Sequence, residues 1–152
     1  MIFGDPMKKY YRLIILLPWL FLAANAYAAS DDKPFAVEKV VLQISDDSPS
    51  KQTLILNVAS NLLKYYGPDK VEVEIVAFGP GLRLLFKENS NGNRINALNG
   101  SGVKFAACKN TIEGMAKQLG HEPALLSVAT PVSAGVVRII ELENQGYKLV
   151  KP

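Results

Sequence analysis

Beyond residue 36 the chain alternates between short apolar runs and longer stretches whose apolar residues recur at helical spacing. "VEKVVLQIS" (37–45) is apolar almost without a break from Val40 to Ile44, the pattern of a strand covered on both faces, as in a parallel sheet. "DDSPS" then turns the chain into a helix over 50–66, closed by Gly67 and Pro68. On that helix Leu54, Ile55, Val58, Ala59, Leu62, Tyr65 and Tyr66 form one stripe, widened by Leu56 and Leu63. Such breadth fits either simple core packing or a second covering surface, such as another subunit. "KVEVEIVAF" (70–78) sets Val71, Val73 and Ile75 against Glu72 and Glu74, which predicts a strand with part of one face wet.

"GPG" (79–81) breaks that strand, "LRLLFKE" makes a short helix, and "NSNGN" (89–93) is a polar loop. "RINALN" adds a turn or two of helix before Gly100 and Gly102 lead into the strand "VKFAA" (103–107). After Cys108, Ile112, Met115, Ala116 and Leu119 mark a helix, with Asn110 as its expected cap, Glu113 completing a capping box, and Gly120 as its stop. "ALLSVA" (124–129) is the next strand expected. A helix follows with Thr130 as cap, Pro131 in first position and Gly146 as stop, and "YKLVK" ends the chain as a strand. Strand and helix alternate throughout, which predicts an α/β sandwich with a mostly parallel sheet of about five strands and right-handed crossovers.

The N-terminus reads differently. Lys8, Lys9 and Arg12 precede the apolar run "LIILLPWLFLAA" (13–24), and the small residues of "ANAYAAS" follow. That layout predicts a secretory signal peptide over 1–28, a flexible lead-in over 29–36, one domain over 37–152, and a periplasmic or secreted product. The run is shorter than the roughly 20 residues of a spanning helix, and Pro18 interrupts it, so no stable membrane span is expected after cleavage. Met7 opens a complete basic head of its own and is an alternative start.

Charge narrows the partners. Of 17 basic and 14 acidic residues, the signal segment holds Lys8, Lys9, Arg12 and Asp5, which leaves 14 against 13 and a net charge of +1. No basic cluster remains of the kind that neutralises nucleic-acid phosphates. His121 is the sole histidine and Cys108 the sole cysteine, so no metal set is expected and no intrachain disulfide forms. No cofactor motif is present. His121 stands in a polar "GHEP" loop, where a solvated histidine is the plainer reading.

In a parallel sheet ligands bind outside the carboxyl ends of the strands. Asp46 and Asp47 should reach that edge after the first strand, Gly79, Pro80 and Gly81 after the second, Cys108 after the third, and Thr130 after the fourth. A thiolate just before a helix faces free backbone N–H groups and the positive end of the helix dipole, and Lys109 adds a nearby cation. Both lower the pKa and raise the thiolate fraction available as nucleophile or sulfur acceptor. The competing reading is a small buried hydrophobe ending an apolar strand. "GPG" lacks the fuller context of a phosphate loop and reads as a turn.

"GVKFAACKNT" (102–111), together with "PVSAGVVRIIELENQGYKLVKP" (131–152) and "VAFGPGLRLL" (76–85), resembles the DsrE/DsrF-like family, and most of all its small exported members of unassigned activity. The likeness spans essentially the whole of the expected mature chain. It implies a three-layer α/β/α fold and homo-oligomers, commonly trimers or hexamers. In intracellular relatives a cysteine after the third strand carries sulfur as a persulfide between partner proteins, and Cys108 occupies the matching place. Lys109, Asn110 and Thr111 follow the uncharacterised branch rather than the relay proteins' own surroundings. The resemblance therefore implies a sulfur carrier or thiol redox protein acting through Cys108, with a sulfur donor or acceptor protein as partner. The alternative is an oligomeric scaffold with an inert thiol.

Overall fold

In the computed structural model, which describes residues 33–152, five parallel strands lie in the order β4-β3-β2-β1-β5. They are β1 (Glu38–Ile44), β2 (Val71–Ala77), β3 (Val103–Cys108), β4 (Ala129–Val132) and β5 (Lys148–Val150). The helices are α1 (Pro49–Tyr66), α2 (Gly92–Gly100), α3 (Lys109–Leu119) and α4 (Gly135–Asn144), with a 3-10 helix over Gly79–Leu85. The expected signal peptide over 1–28, and the lead-in as far as residue 32, lie outside the described residues.

Connectivity and handedness explain the layers. From β1 to β4 the chain steps strand by strand in one direction, and right-handed crossovers keep α1, α2 and α3 on one face. The return from β4 to β5 runs the opposite way across the sheet, so the same handedness puts α4 on the other face. The result is a three-layer α/β/α sandwich. Under α1, the registered row Leu42, Ile75 and Phe105 is at most 1% exposed. Ile55, Leu56 and Ala59 close over this first face. Each such side chain contributes about 1.5–3 kcal/mol on burial.

Helix ends follow local chemistry. Ahead of α1, Asp46 accepts the Ser48 N–H at 2.9 Å and Lys51 Nζ at 2.8 Å, and Pro49 fills the first helical position. Of the expected α1 stripe, Ile55 and Ala59 are buried together with Leu56, whereas Leu54 and Tyr65 are exposed. The stripe is thus narrower than read, because a single sheet face covers it.

Several expectations need correcting. The fourth strand is Ala129–Val132, not 124–129, so Thr130 is a mid-strand residue and no helix cap. Pro131 is tolerated there because β4 is an edge strand and needs no donor on its open side. Consequently α4 begins at Gly135, four residues later than expected. Asn110 lies within the first turn of α3, whose cap position belongs to Cys108, and no capping box forms. The short helix after β2 starts at Gly79 and is of the tighter 3-10 kind. Finally, Glu72 and Glu74 are 4% and 3% exposed and do not lie on a wet face. Helix α4 covers that face and compensates Glu74, while β1 and the segment after α4 compensate Glu72. Arg138 binds Glu74 through two hydrogen bonds of 2.7 Å, and Glu72 meets Lys39 Nζ at 3.1 Å and the Tyr147 hydroxyl.

Candidate functional site at the end of the third strand

Side chains alternate along β3. Val103, Phe105 and Ala107 enter the aliphatic face, whereas Lys104, Ala106 and Cys108 point to the face under α4. Cys108 is therefore the last residue of its strand and the residue before the first turn of α3, at the carboxyl edge of the sheet. It is 5% exposed.

Three backbone N–H groups from two segments converge on its sulfur. The N–H groups of Asn110 and Thr111 come from the start of α3, and the N–H of Gly135 opens α4. These are the donors that a helix start leaves without internal partners. The Thr111 hydroxyl completes the set, and its direction is fixed from behind. Thr111 Oγ1 accepts the Gly79 N–H at 2.9 Å, which leaves its proton free to donate to sulfur. Burial pushes the Cys108 thiol up, but the Thr111 hydroxyl and the N–H groups of Gly135, Thr111 and Asn110 outweigh it, so the pKa falls below the ordinary thiol value.

Three glycines hold this arrangement. A Cβ on Gly135 would come within 2.9 Å of Phe78 Cβ and Cδ1, so only glycine lets α4 start this close to β2's end. A Cβ on Gly81 would lie 2.4 Å from the Ile44 carbonyl oxygen, which makes the second glycine of "GPG" a packing requirement. Gly79 has φ +52°, in the left-handed region, and aims its N–H at Thr111.

The expected site residues divide accordingly. Cys108, Asn110, Thr111 and Gly79 meet around the sulfur, the last through Thr111. Lys109 is exposed and lines a cleft with Glu113, Glu122 and Pro131, and hydrogen bonds rather than its charge lead the lowering of the thiol pKa. Pro80 is exposed and Gly81 buried. Asp46 stands two strands away, beside a cleft of about 120 Å³ shared with Lys51 and Lys151, and its charge is engaged by Lys51 and the Ser48 N–H. Asp47 is exposed, 3.8 Å from Arg83. Thr130 pairs with Ala106, below the edge where it was expected. His121 is exposed and touches only the neighbouring Glu122 carbonyl. Among the described residues no three His, Cys, Asp or Glu side chains are placed to hold a metal, and no helix is long and apolar enough to cross a membrane.

Gly135 is missed by the sequence pattern because Thr130 and Pro131 read as the cap and first residue of the last helix. A glycine inside a would-be helix, four residues past a proline, was the available signal.

A protein of unknown function from Methanobacterium thermoautotrophicum has a similar structure. The TM-score is 0.69 and the identity 28%, over 76% of this chain and 99% of that one. No family model and no curated protein matches the chain. The solved relative carries the same architecture and brings no activity with it.

Proposed function

We propose that this chain is an exported, oligomeric DsrE-like protein whose Cys108 accepts sulfane sulfur and passes it on. The observation that carries this reading is the convergence of backbone donors from two helices, with one oriented hydroxyl, on the only thiol of the chain. Nothing in packing a small hydrophobe calls for four donors around it. A thiolate held there attacks the terminal sulfur of a persulfide, R–S–SH. A Cys108 S–S bond forms, the S–S bond of the donor persulfide breaks, and R–S⁻ leaves with the electron pair. The product persulfide occupies the same donors as an anion. The basic head, apolar run and small residues at the N-terminus support export, and the quoted segments around Cys108 and after Pro131 support the family.

Treating the native protein with a small persulfide and weighing it intact tests the proposal. One added sulfur on the native chain and none on Cys108→Ser is the expected result. An unchanged native mass overturns it.

A second reading has its own observation. Cys108 is only 5% exposed, and Val136, Val137 and Ile140 leave an apolar stripe on the outer side of α4. That combination suits an oligomeric binding or scaffold subunit with an inert thiol. Native protein that resists a thiol reagent until denatured, and runs as an oligomer, is the outcome this reading requires.

A further inference from the structure

Beside Cys108 the face under α4 is incompletely covered. Five strands at about 4.8 Å spacing make a sheet near 19 Å wide, whereas a single ten-residue helix crosses it. Over β3 and β4 this leaves a cleft of about 400 Å³, whose lining includes Lys104, Ala106, Thr130, Val132, Glu74 and Arg138. Its floor is the Cys108 side of β3. Lys104, Ala106 and Cys108 follow one another on that face, and Val132 is the register partner of Cys108. The thiol thus stands level with Val132, at the upper end of the cleft.

The charges in the cleft do not all close on one another. Arg138 and Glu74 satisfy each other through two hydrogen bonds of 2.7 Å, and Glu74 is 3% exposed. Lys104 is the register partner of Glu74, so two cations flank one carboxylate. Glu141 lies 3.8 Å from Arg138, is 53% exposed and does not line the cleft. No hydrogen bond or ion pair holds the side chain of the half-buried Lys104 among the described residues. Thr130, opposite Ala106 on the same floor, adds an exposed hydroxyl.

We infer that this cleft is the binding site for the carboxylate end of a small acidic persulfide or disulfide, whose sulfur reaches Cys108. The inference rests on the sulfur-accepting reading of Cys108 and adds the class of donor. Lys104 and Cys108 are separated along the strand by about 13 Å, a distance that a lysine stem and a short carboxylate tail bridge between them. Lys104 pairs with the carboxylate, and Thr130 donates to it. With a disulfide, the Cys108 thiolate attacks one sulfur, a mixed disulfide forms, and the other half leaves as a thiolate carrying the electron pair.

Two probes of similar size separate the charge from the sulfur chemistry: 3,3′-dithiodipropionate, which is acidic, and bis(2-hydroxyethyl) disulfide, which is neutral. At low salt the acidic probe should modify the native protein about threefold to fivefold faster than its intrinsic reactivity towards a free thiol allows, the range of an exposed ion pair. Lys104→Gln, and separately added salt, should bring that preference to about one. Equal corrected rates in the native protein, or a preference that survives Lys104→Gln, overturns the inference. Should neither probe react, the sulfur-accepting reading fails, and a second measurement still decides the cleft. In Cys108→Ser, 3-(methylthio)propionate should shift the amide resonances of Ala106, Thr130 and Val132, and Lys104→Gln should weaken that titration. Absence of any shift there overturns the cleft assignment independently.

Discussion

The two faces of the sheet solve the same burial problem with different chemistry. Beneath α1, α2 and α3 the sheet presents Leu42, Ile75, Phe105 and their aliphatic neighbours, with charge confined to the exposed Glu38–Lys148 pair at its lower end. Beneath α4 it presents Glu72 and Glu74 on a central strand, held by Lys39, Arg138 and Tyr147, with Cys108 at the upper end. One face is a store of stability that tolerates hydrophobic exchange. The other depends on pairing, because a buried carboxylate without its partner costs several kcal/mol. The thiol sits on the demanding face, where the helix that completes the pairing also delivers a donor to sulfur.

The sharpest way to break this contrast is Arg138→Ala. It strands Glu74 in a site 3% exposed and should cost about 3–5 kcal/mol in urea denaturation. The double variant Arg138→Met/Glu74→Leu should recover most of that loss, since a well-packed apolar pair replaces buried charge at little cost. A loss below about 1 kcal/mol for the single change would mean that the second face does not depend on this pair.

Gly135→Ala comes next. Its new Cβ meets Phe78 at 2.9 Å, so about 1–3 kcal/mol of stability should go. As α4 retreats the Gly135 N–H withdraws from sulfur and the thiol pKa should rise. Adding Phe78→Ala should relieve the crowding and return part of both effects. An alanine accommodated without change in either readout would remove α4 from the thiol site.

The smallest expected effect is confined to Thr111. Thr111→Val deletes the hydroxyl that links Gly79 to sulfur, and should raise the thiol pKa measured by thiolate absorbance, whereas Thr111→Ser should keep it. The sign in stability follows from linkage. The native thiol pKa lies below that of the unfolded chain, so between the two values the unfolded chain binds more protons, and stability rises with pH through that window. The contribution is present above the unfolded pKa and lost as pH falls through the native one. Relative to Cys108→Ser, the native protein should show this rise and Thr111→Val a smaller one.

Much of this layout was legible in the bare sequence because its first three strands are apolar or alternating runs bounded by glycine, proline and polar residues. β1, β2 and β3, and the helices α1 and α3, fall where periodicity places them within a few residues. β4 did not, since "ATPV" is four residues long, carries a proline and is half exposed, and so lacks any period. Glu72 and Glu74 misled for a related reason. Alternation identifies opposite faces, but whether a face is wet depends on a helix that arrives more than sixty residues later with Arg138. Around the thiol, local spacing disclosed the strand-to-helix junction and the N–H groups of α3. The contributions of Gly79 and Gly135 are tertiary, and no local pattern announces them.

The return of the chain from β4 through α4 to β5 has a temporal corollary. Until that closing segment wraps back over the sheet, Cys108 lacks the Gly135 amide. A nascent or unfolded molecule therefore carries an ordinary, sluggish sulfhydryl. Full nucleophilic character arrives when α4 docks and adds its amide to the donors of α3.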